Sequence, residues 1–240
     1  MALRPDTRQA AGGVIWNQPI VGHGFWFQAR GQRGLRSKPD PELPGSPFAN
    51  GMFPHRHFRH CPRCGQPIVP PDGKGPMACT ACGFRLYFNP AVAVAVFVQD
   101  AAGRVLLIRR AKEPGAGKLA PPGGFIDVGE RAEDAVHREV HEEVGLRLTD
   151  LRFLGSQPNE YLFGGVLYPV LDLFFTARLA DPAAASGEVD AGEVEAVGWH
   201  APSDVAPGDL AFPSMRAAWQ DWLRANPAFA GGAPGDRVGP

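Results

Sequence analysis

Glu139, Glu142 and Glu143 stand at i, i+3 and i+4, a spacing that on a helix puts three carboxylates into one sector, at about 100° per residue. Like charges that close repel one another and weaken a bare helix. A bound cation removes the repulsion, and ligands that are all oxygen favour a hard ion such as Mg2+, which keeps several waters and also binds phosphates. An acidic face simply solvated by water is the other reading of those three residues taken alone. A second cluster is made of sulfur. Cys61-Pro-Arg-Cys64-Gly and Cys79-Thr-Ala-Cys82-Gly are two Cys-x-x-Cys knuckles separated by 14 residues, and they use all four cysteines of the chain. Four thiolates favour tetrahedral Zn2+ in a closed structural site. Two disulfides are the alternative pairing, suited to an oxidising compartment rather than the cytoplasm. His55, His57 and His60 precede Cys61 and are expected at the surface, because four cysteines already complete such a site.

The glutamates belong to a longer pattern. Gly124 is followed after five residues by Glu130, after seven more by Arg138-Glu139, then Val140, Glu142-Glu143, Gly145 and Leu146. This spacing resembles the Nudix box at every fixed position. The resemblance implies a box folded as loop, helix and loop against a mixed sheet. It implies that Glu139, Glu142, Glu143 and the main-chain carbonyl of Gly123 ligate Mg2+ or Mn2+. Arg138 would then orient Glu139, and Glu130 would support the loop. The implied reaction is hydrolysis at phosphorus, turning X-diphosphate-Y into two phosphate-bearing products, or a triphosphate into monophosphate and pyrophosphate. Nudix enzymes often add an acid from beyond the box. Glu188, Asp190, Glu193 and Glu195 are candidates, and Glu193 is preferred because Glu193-Val194 leads into Val197-Gly198-Trp199.

The cysteine module runs through Phe84-Arg-Leu-Tyr-Phe-Asn-Pro90 straight into the catalytic region, an arrangement similar to the zinc-ribbon subgroup that includes the NADH pyrophosphatases. Those enzymes carry Ser-Gln-Pro-Trp-Pro-Phe-Pro beyond the box. Here Ser156-Gln157-Pro158 matches and Asn159-Glu160-Tyr161 departs, which puts NADH itself in doubt. Tyr161, Phe163 and Tyr168, with Asp172, are candidate substrate residues, since aromatic faces accept bases; sheet packing is their other use. The expected substrate is a nucleoside-diphosphate derivative of the ADP-ribose, NAD(H) or FAD type. The alternatives are a triphosphate pyrophosphohydrolase for damaged nucleotides and a Nudix ligand sensor or nucleic-acid-binding regulator. A sensor need not keep three glutamates together.

Elements must position these residues. Ala91–Val98 suits a buried strand, with Arg104–Ile108 as its hairpin partner. A helix is expected over Ala132–Val144, with Ala132, Val136, Val140 and Val144 as its apolar seam and Gly145 as its stop. Position 131 is Arg where a capping side chain is usual, though Glu133 and Asp134 suit the first turn. Strands are expected near Leu151–Ser156, Phe163–Val170, Leu171–Leu179 and Glu195–Trp199. A final helix over Pro213–Ala225 should turn Met215, Trp219, Trp222 and Leu223 inward. The absence of a βαβ rhythm points to an α+β class, an α/β/α sandwich with a mixed sheet behind a small zinc ribbon.

Four segments follow from this: 1–51, the ribbon at 52–89, the Nudix domain at 90–226, and a tail at 227–240. Residues 1–51 show no sustained period and are expected either as a flexible extension, with a transit peptide as one reading, or as an over-extended reading frame with Met52 as the start. The net charge of −1 demands neither a membrane nor a nucleic-acid partner. Arg56, Arg59 and Arg63 lie near the ribbon, yet a structural role is expected for it, with no nucleic acid. No apolar run is long enough to span a membrane and no signal peptide is evident, so a cytoplasmic protein is expected. Nudix domains often pair, which makes a homodimer an open expectation.

Overall fold

The computed structural model describes residues 53–69, 75–181 and 189–229. The expected extension at 1–51, most of the expected tail and Glu188 lie outside the described residues.

The cysteine module holds a short antiparallel pair, β1 (Met77–Ala78) and β2 (Arg85–Leu86). Phe58 meets Phe88 edge-on at 5.2 Å between ring centroids, and His55 and Phe53 extend the ring cluster. From there the chain enters β3 (Ala91–Gln99), whose Val94–Val98 stretch is buried without interruption, as a run of small and β-branched residues in a central strand should be. β4 (Val105–Arg110) returns antiparallel to it, and the two-residue β5 (Leu119–Ala120) pairs with β4.

After the helix α1 (Ala132–Val144) come two long strands, β6 (Leu148–Phe163) and β7 (Val166–Leu179), then β8 (Val194–His200) and the helix α2 (Pro213–Ala225). The sheet runs β5-β4-β3-β7-β6, with β8 also on β4. It is mixed, because β3 and β7 are parallel and the other pairs antiparallel. Among the described residues no helix is long and apolar enough to cross a membrane.

Both helices fall where their periodicity places them, but the middle strands do not. The expected strand Phe163–Val170 is divided by a tight turn: Gly164 and Gly165 have φ of 58° and 80°, and Phe163 ends β6 opposite Val166. Two left-handed residues in succession match the twist of a two-residue hairpin, so the glycine pair is the turn itself. Leu171 likewise starts no new strand, since β7 runs on through it.

α2 begins with Pro213 at its first turn, where the missing amide costs nothing. It lays Trp219 and Trp222, stacked 5.0 Å apart, on Phe97 and so covers one face of the sheet. α1 packs its Val136, Val140 and Val144 seam against β3, giving the sandwich.

Candidate active site

The Gly-rich loop before α1 runs along β3. The Val96 and Val94 amides donate to the Pro122 and Gly124 carbonyls at 3.0 and 2.8 Å, and the Ile126 amide donates to Val92 at 3.0 Å. The approach is so close that only glycine fits. A Cβ on Gly123 would stand 2.1 Å from the Val94 carbonyl oxygen, and one on Gly124 would stand 2.5 Å from the Glu139 carboxylate. The two obstacles differ in kind, backbone at Gly123 and a movable side chain at Gly124. Gly123→Ala is therefore expected to destabilise the fold by about 1–3 kcal/mol. Gly124→Ala should instead displace Glu139, keeping most of the stability while costing roughly 10- to 100-fold in turnover. Melting curves and steady-state rates on the two variants check this; equal thermal losses in both would refute the distinction.

α1 starts at Arg131 without a side-chain cap and ends at Gly145, whose left-handed φ of 67° lets its amide reach the His141 carbonyl. Its rotation divides the three glutamates. Glu143 is buried beside the apolar seam and accepts the Gly123 amide at 2.9 Å. Burial, with Glu139 and Glu193 facing it, pushes its carboxyl from an ordinary 4.5 up to about 8, against the opposing pull of the Gly123 amide and Arg110. Burial raises Glu139 as well, with Arg138 pulling the other way and Glu142 and Glu193 adding to the rise. Glu142 points outward, its side chain 58% exposed, and is held by Arg138 at 3.1 Å. Glu139 and Glu143 thus meet consecutive loop residues, while Glu142 stands at the rim.

Arg138 ties the box together. Its Nε and a terminal nitrogen donate to both oxygens of Glu130 at 2.8 and 2.9 Å, and it also donates to Glu139 at 2.8 Å and to the Phe125 carbonyl at 3.0 Å. Hydrogen bonding to Arg138 holds Glu130 below the usual carboxylate range. Glu130 also accepts the Asp127 amide at 3.0 Å, so it closes the loop as well as gripping the arginine.

Of the four acids considered beyond the box, Glu193 acts on both raised glutamates. Its carbonyl accepts the Ala111 amide at 2.9 Å, and its own amide donates to Asp190, whose amide in turn reaches Glu143 at 3.4 Å. The Asp190 carboxylate is occupied in this turn by the Gly192 amide at 2.7 Å, and Glu195 is exposed.

Sequence reasoning missed Arg110 and Phe125. Arg110 donates to the Pro114 carbonyl at 3.0 Å, lies 5.2 Å from the Phe212 ring centroid and pulls Glu143 toward its charged form. Phe125 meets Tyr161 edge-on at 5.7 Å. The Arg109-Arg110 pair ending a strand was the available signal for the first; the second had none. Tyr161 and Tyr168 are direct cross-strand partners, and Phe163 follows on the same face of β6 toward the hairpin tip, 54% exposed. Tyr161 therefore adjoins the box loop and the other two lie further out. Asp172 is buried on that face, accepting from Ser214 at 2.6 Å and Asn159 at 2.9 Å, and burial raises its carboxyl.

The four cysteines form no disulfide. Their sulfurs all lie within 4.8 Å of one another, the Cys61–Cys82 and Cys64–Cys79 pairs at 3.7 Å. Zn–S bonds of about 2.3 Å set tetrahedron edges of about 3.8 Å, so the donor set fits such an ion. The two knuckles repeat one another: the amides of Gly65 and Gly83, with φ of 74° and 72°, reach back to the carbonyls of Cys61 and Cys79.

A model of the NUDIX domain matches residues 89–220. The chain is similar to the NAD-capped RNA hydrolase NudC of Deinococcus radiodurans, 31% identical over 172 residues that cover 70% of this chain and 58% of that protein. It is also similar to the NAD-capped RNA hydrolase NudC of Pseudomonas syringae pv. syringae, 32% identical over 185 residues, 75% of this chain and 59% of that one. The chain therefore spans less than two thirds of the length of these relatives. Among solved structures, a NUDIX hydrolase from Nitrosomonas europaea matches with a TM-score of 0.50 at 23% identity, covering 70% of this chain and 93% of that one, a likeness of fold alone.

Proposed function

The chain belongs to the Nudix family, and from that premise we propose that it splits, with a divalent cation, the diphosphate linkage of a nucleoside-diphosphate derivative of the ADP-ribose, NAD(H) or FAD type. The observation that carries this reading is the seating of Glu139 and Glu143 against consecutive loop glycines with Glu193 facing both. Carboxylates offer the oxygen ligands a hard cation prefers, and because among the described residues only the four cysteines bring three or more ligand atoms within 4.8 Å of one another, the glutamates would draw together around such an ion. Mg2+ or Mn2+ would be held by Glu139, Glu142, Glu143 and the Gly123 carbonyl, whose two neighbouring carbonyls are already taken by β3, with Glu193 as the added acid. Such a cation, when bound, supplies Lewis acidity at the phosphate oxygens and neutralises charge building on the departing phosphate. The chain's own groups keep the site in shape: Arg138 orients Glu139 and Glu142, Glu130 fixes Arg138, and the Gly123 amide holds Glu143. Tyr161, with Phe125 beside it, offers an aromatic wall for a base, and Tyr168 and Phe163 extend it outward.

The relatives' names favour an adenine dinucleotide, free or RNA-linked, over a nucleoside triphosphate. The test is product analysis against ADP-ribose, NADH, NAD+, FAD, an NAD-capped RNA and nucleoside triphosphates, with and without Mg2+ or Mn2+. Cation-dependent AMP release from a dinucleotide supports the reading. Pyrophosphate release from triphosphates alone replaces it with the sanitising activity, and silence across the panel replaces it with a ligand sensor.

The buried acids make a further prediction. A carboxyl whose folded pKa is raised stabilises the fold below its unfolded pKa and loses that contribution as pH rises through the folded value. For Glu143 the window runs from about 4.5 to about 8. Without added cation, Glu143 should therefore lower stability as pH climbs through that window, and Mg2+ should raise the melting temperature more at pH 8 than at pH 6. An Mg2+ effect equal at the two pH values would count against cation binding by these groups.

In the ribbon, the four thiolates would hold one structural Zn2+, and metal analysis should find one equivalent per chain. Cys79→Ser should abolish zinc retention and expose the ribbon to proteolysis, because binding such an ion supplies much of the folding energy of a small module. Purified chain free of zinc, with an intact ribbon, would overturn this.

A further inference from the structure

We infer that the carboxylate of Asp172 selects the substrate's ring, accepting an N–H from a flat heterocycle that carries an amino or carboxamide group. The inference rests on the hydrolase reading for the substrate class, an adenine dinucleotide, and names the group that recognises it.

Asp172 is 6% exposed. Its Oδ2 accepts both the Ser214 hydroxyl at 2.6 Å and the Asn159 side-chain amide at 2.9 Å. Among the described residues nothing donates to Oδ1 and no basic side chain pairs with the carboxylate, yet this oxygen is not sealed from solvent. Burial raises the carboxyl, and a ligand donor at Oδ1 would offset that cost. Apolar side chains in these three places would serve the packing of α2 on the sheet at least as well. What the two donors add is orientation: they hold Oδ2 and leave Oδ1 as an acceptor that a ligand can reach. Asn159 is also the residue at which the chain leaves the Ser-Gln-Pro-Trp signature, so a donor to Asp172 stands where the signature has an indole.

The carboxylate adjoins a floor of alanines flanked by rings. Ala93 on β3 is the direct partner of Asp172 on one side and of Phe125 on the other, so all three share one face of the sheet. Two strand spacings put Phe125 and Asp172 about 10 Å apart across that floor. Ala93 is only half-buried and Ala91, on the same face, is exposed, so small methyl groups leave the floor open. The Tyr161 ring stands 5.7 Å from Phe125 and 5.9 Å from Phe212. Phe212 precedes Ser214 by two residues, and the Arg110 guanidinium lies 5.2 Å from its centroid. Arg110 also pulls on Glu143, so the Phe212 ring links the Asp172 cluster to the cation end of the site.

Aromatic walls accept the faces of a flat group, and a carboxylate accepts only donors at its edge. Together they call for a ring with an exocyclic N–H2, which adenine supplies as its amino group and nicotinamide as its carboxamide. A ring with a carbonyl there, as in hypoxanthine, would set two acceptors against one another.

The test compares NAD+ with two analogues on the full chain. Nicotinamide hypoxanthine dinucleotide replaces the adenine amino group by a carbonyl, and nicotinic acid adenine dinucleotide replaces the carboxamide by a carboxylate. Affinity is read by calorimetry without added cation, and kcat/KM with Mg2+. Wild type should lose about 10- to 100-fold on one of the analogues, the scale of one hydrogen bond to a charged group, and the analogue that suffers identifies the ring. Asp172→Asn keeps an oxygen for Ser214 and Asn159 and sets an N–H2 where Oδ1 stood, so it should erase that preference or reverse it. Ser214→Ala, which loosens the carboxylate without removing it, should weaken the preference without reversing it. Melting curves establish that each variant is folded. A loss equal on all three dinucleotides in Asp172→Asn would mark the residue as structural and overturn the proposal. So would a wild type that treats the three alike or binds none of them, or a preference undiminished in the folded variants. A wild type that binds with this preference but hydrolyses none of the three would sink the hydrolase reading and leave the Asp172 assignment standing.

Discussion

Glu139→Gln is expected to lower kcat by about 10²- to 10³-fold, the scale seen when one electrostatic group that acts on developing charge is removed. The melting temperature without added cation should hold or rise. Glutamine matches the side chain in size and can still accept from Arg138, which donates to Glu139 at 2.8 Å. What it removes is a charge that burial already disfavours and that Glu142 and Glu193 make less favourable still. A substitution that relieves electrostatic strain while abolishing turnover has the signature of a group placed for chemistry rather than for folding. Steady-state kinetics over a Mg2+ titration, paired with thermal melts, check both halves. Unchanged kcat at saturating Mg2+ would remove Glu139 from the catalytic set. Loss of activity together with a large fall in stability would recast it as structural.

Arg138→Ala is expected to reduce both stability and turnover. The side chain is 27% exposed and satisfies both oxygens of Glu130, one of Glu139 and the Phe125 carbonyl. Removing one partner of a buried ion pair costs about 3–5 kcal/mol, and solvent screening at this partly open site reduces that to about 2–3 kcal/mol. Turnover should fall by about 10- to 100-fold through misplacement of Glu139, as for other groups that orient a metal ligand. Arg138→Lys should recover little, because an ammonium cannot span both oxygens of Glu130 while reaching Glu139. Urea denaturation with kinetics on both variants decides it, and a lysine variant with wild-type turnover would show that charge alone suffices. The Glu130 carboxyl, held low by this arginine, works in the opposite sense to Glu143: its stabilisation is present above its unfolded pKa and is lost as pH falls through the lower folded value.

Much of this protein was legible in its residues because the relevant patterns are local. Both helices match their expected bounds of 132–144 and 213–225, since a 3.6-residue apolar period, a glycine stop and a proline start act within a few turns. The four cysteines converge because each Cys-x-x-Cys turn is set by its own glycine. The β6–β7 hairpin departs from the expected strand bounds even though its signal is local: Gly164-Gly165 sits inside an apolar stretch, whose pattern reads as strand interior.

By itself the sequence determined which chemical groups exist and their order along each helix and turn: the carboxylates of Glu139, Glu142 and Glu143, the arginine before them, the glycines of the loop, and two thiolate pairs. It could not rank the three glutamates, which are chemically identical and share one sector of α1. Only the packing of α1 against β3 separated them, burying Glu143 under the Gly123 amide, setting Glu139 against Gly124 and leaving Glu142 at the rim. Tertiary structure likewise brought in Arg110 from a remote segment and set Tyr161 against Phe125 of the box loop. Burial and long-range proximity arise when elements meet across the sheet, and no spacing along the chain encodes them.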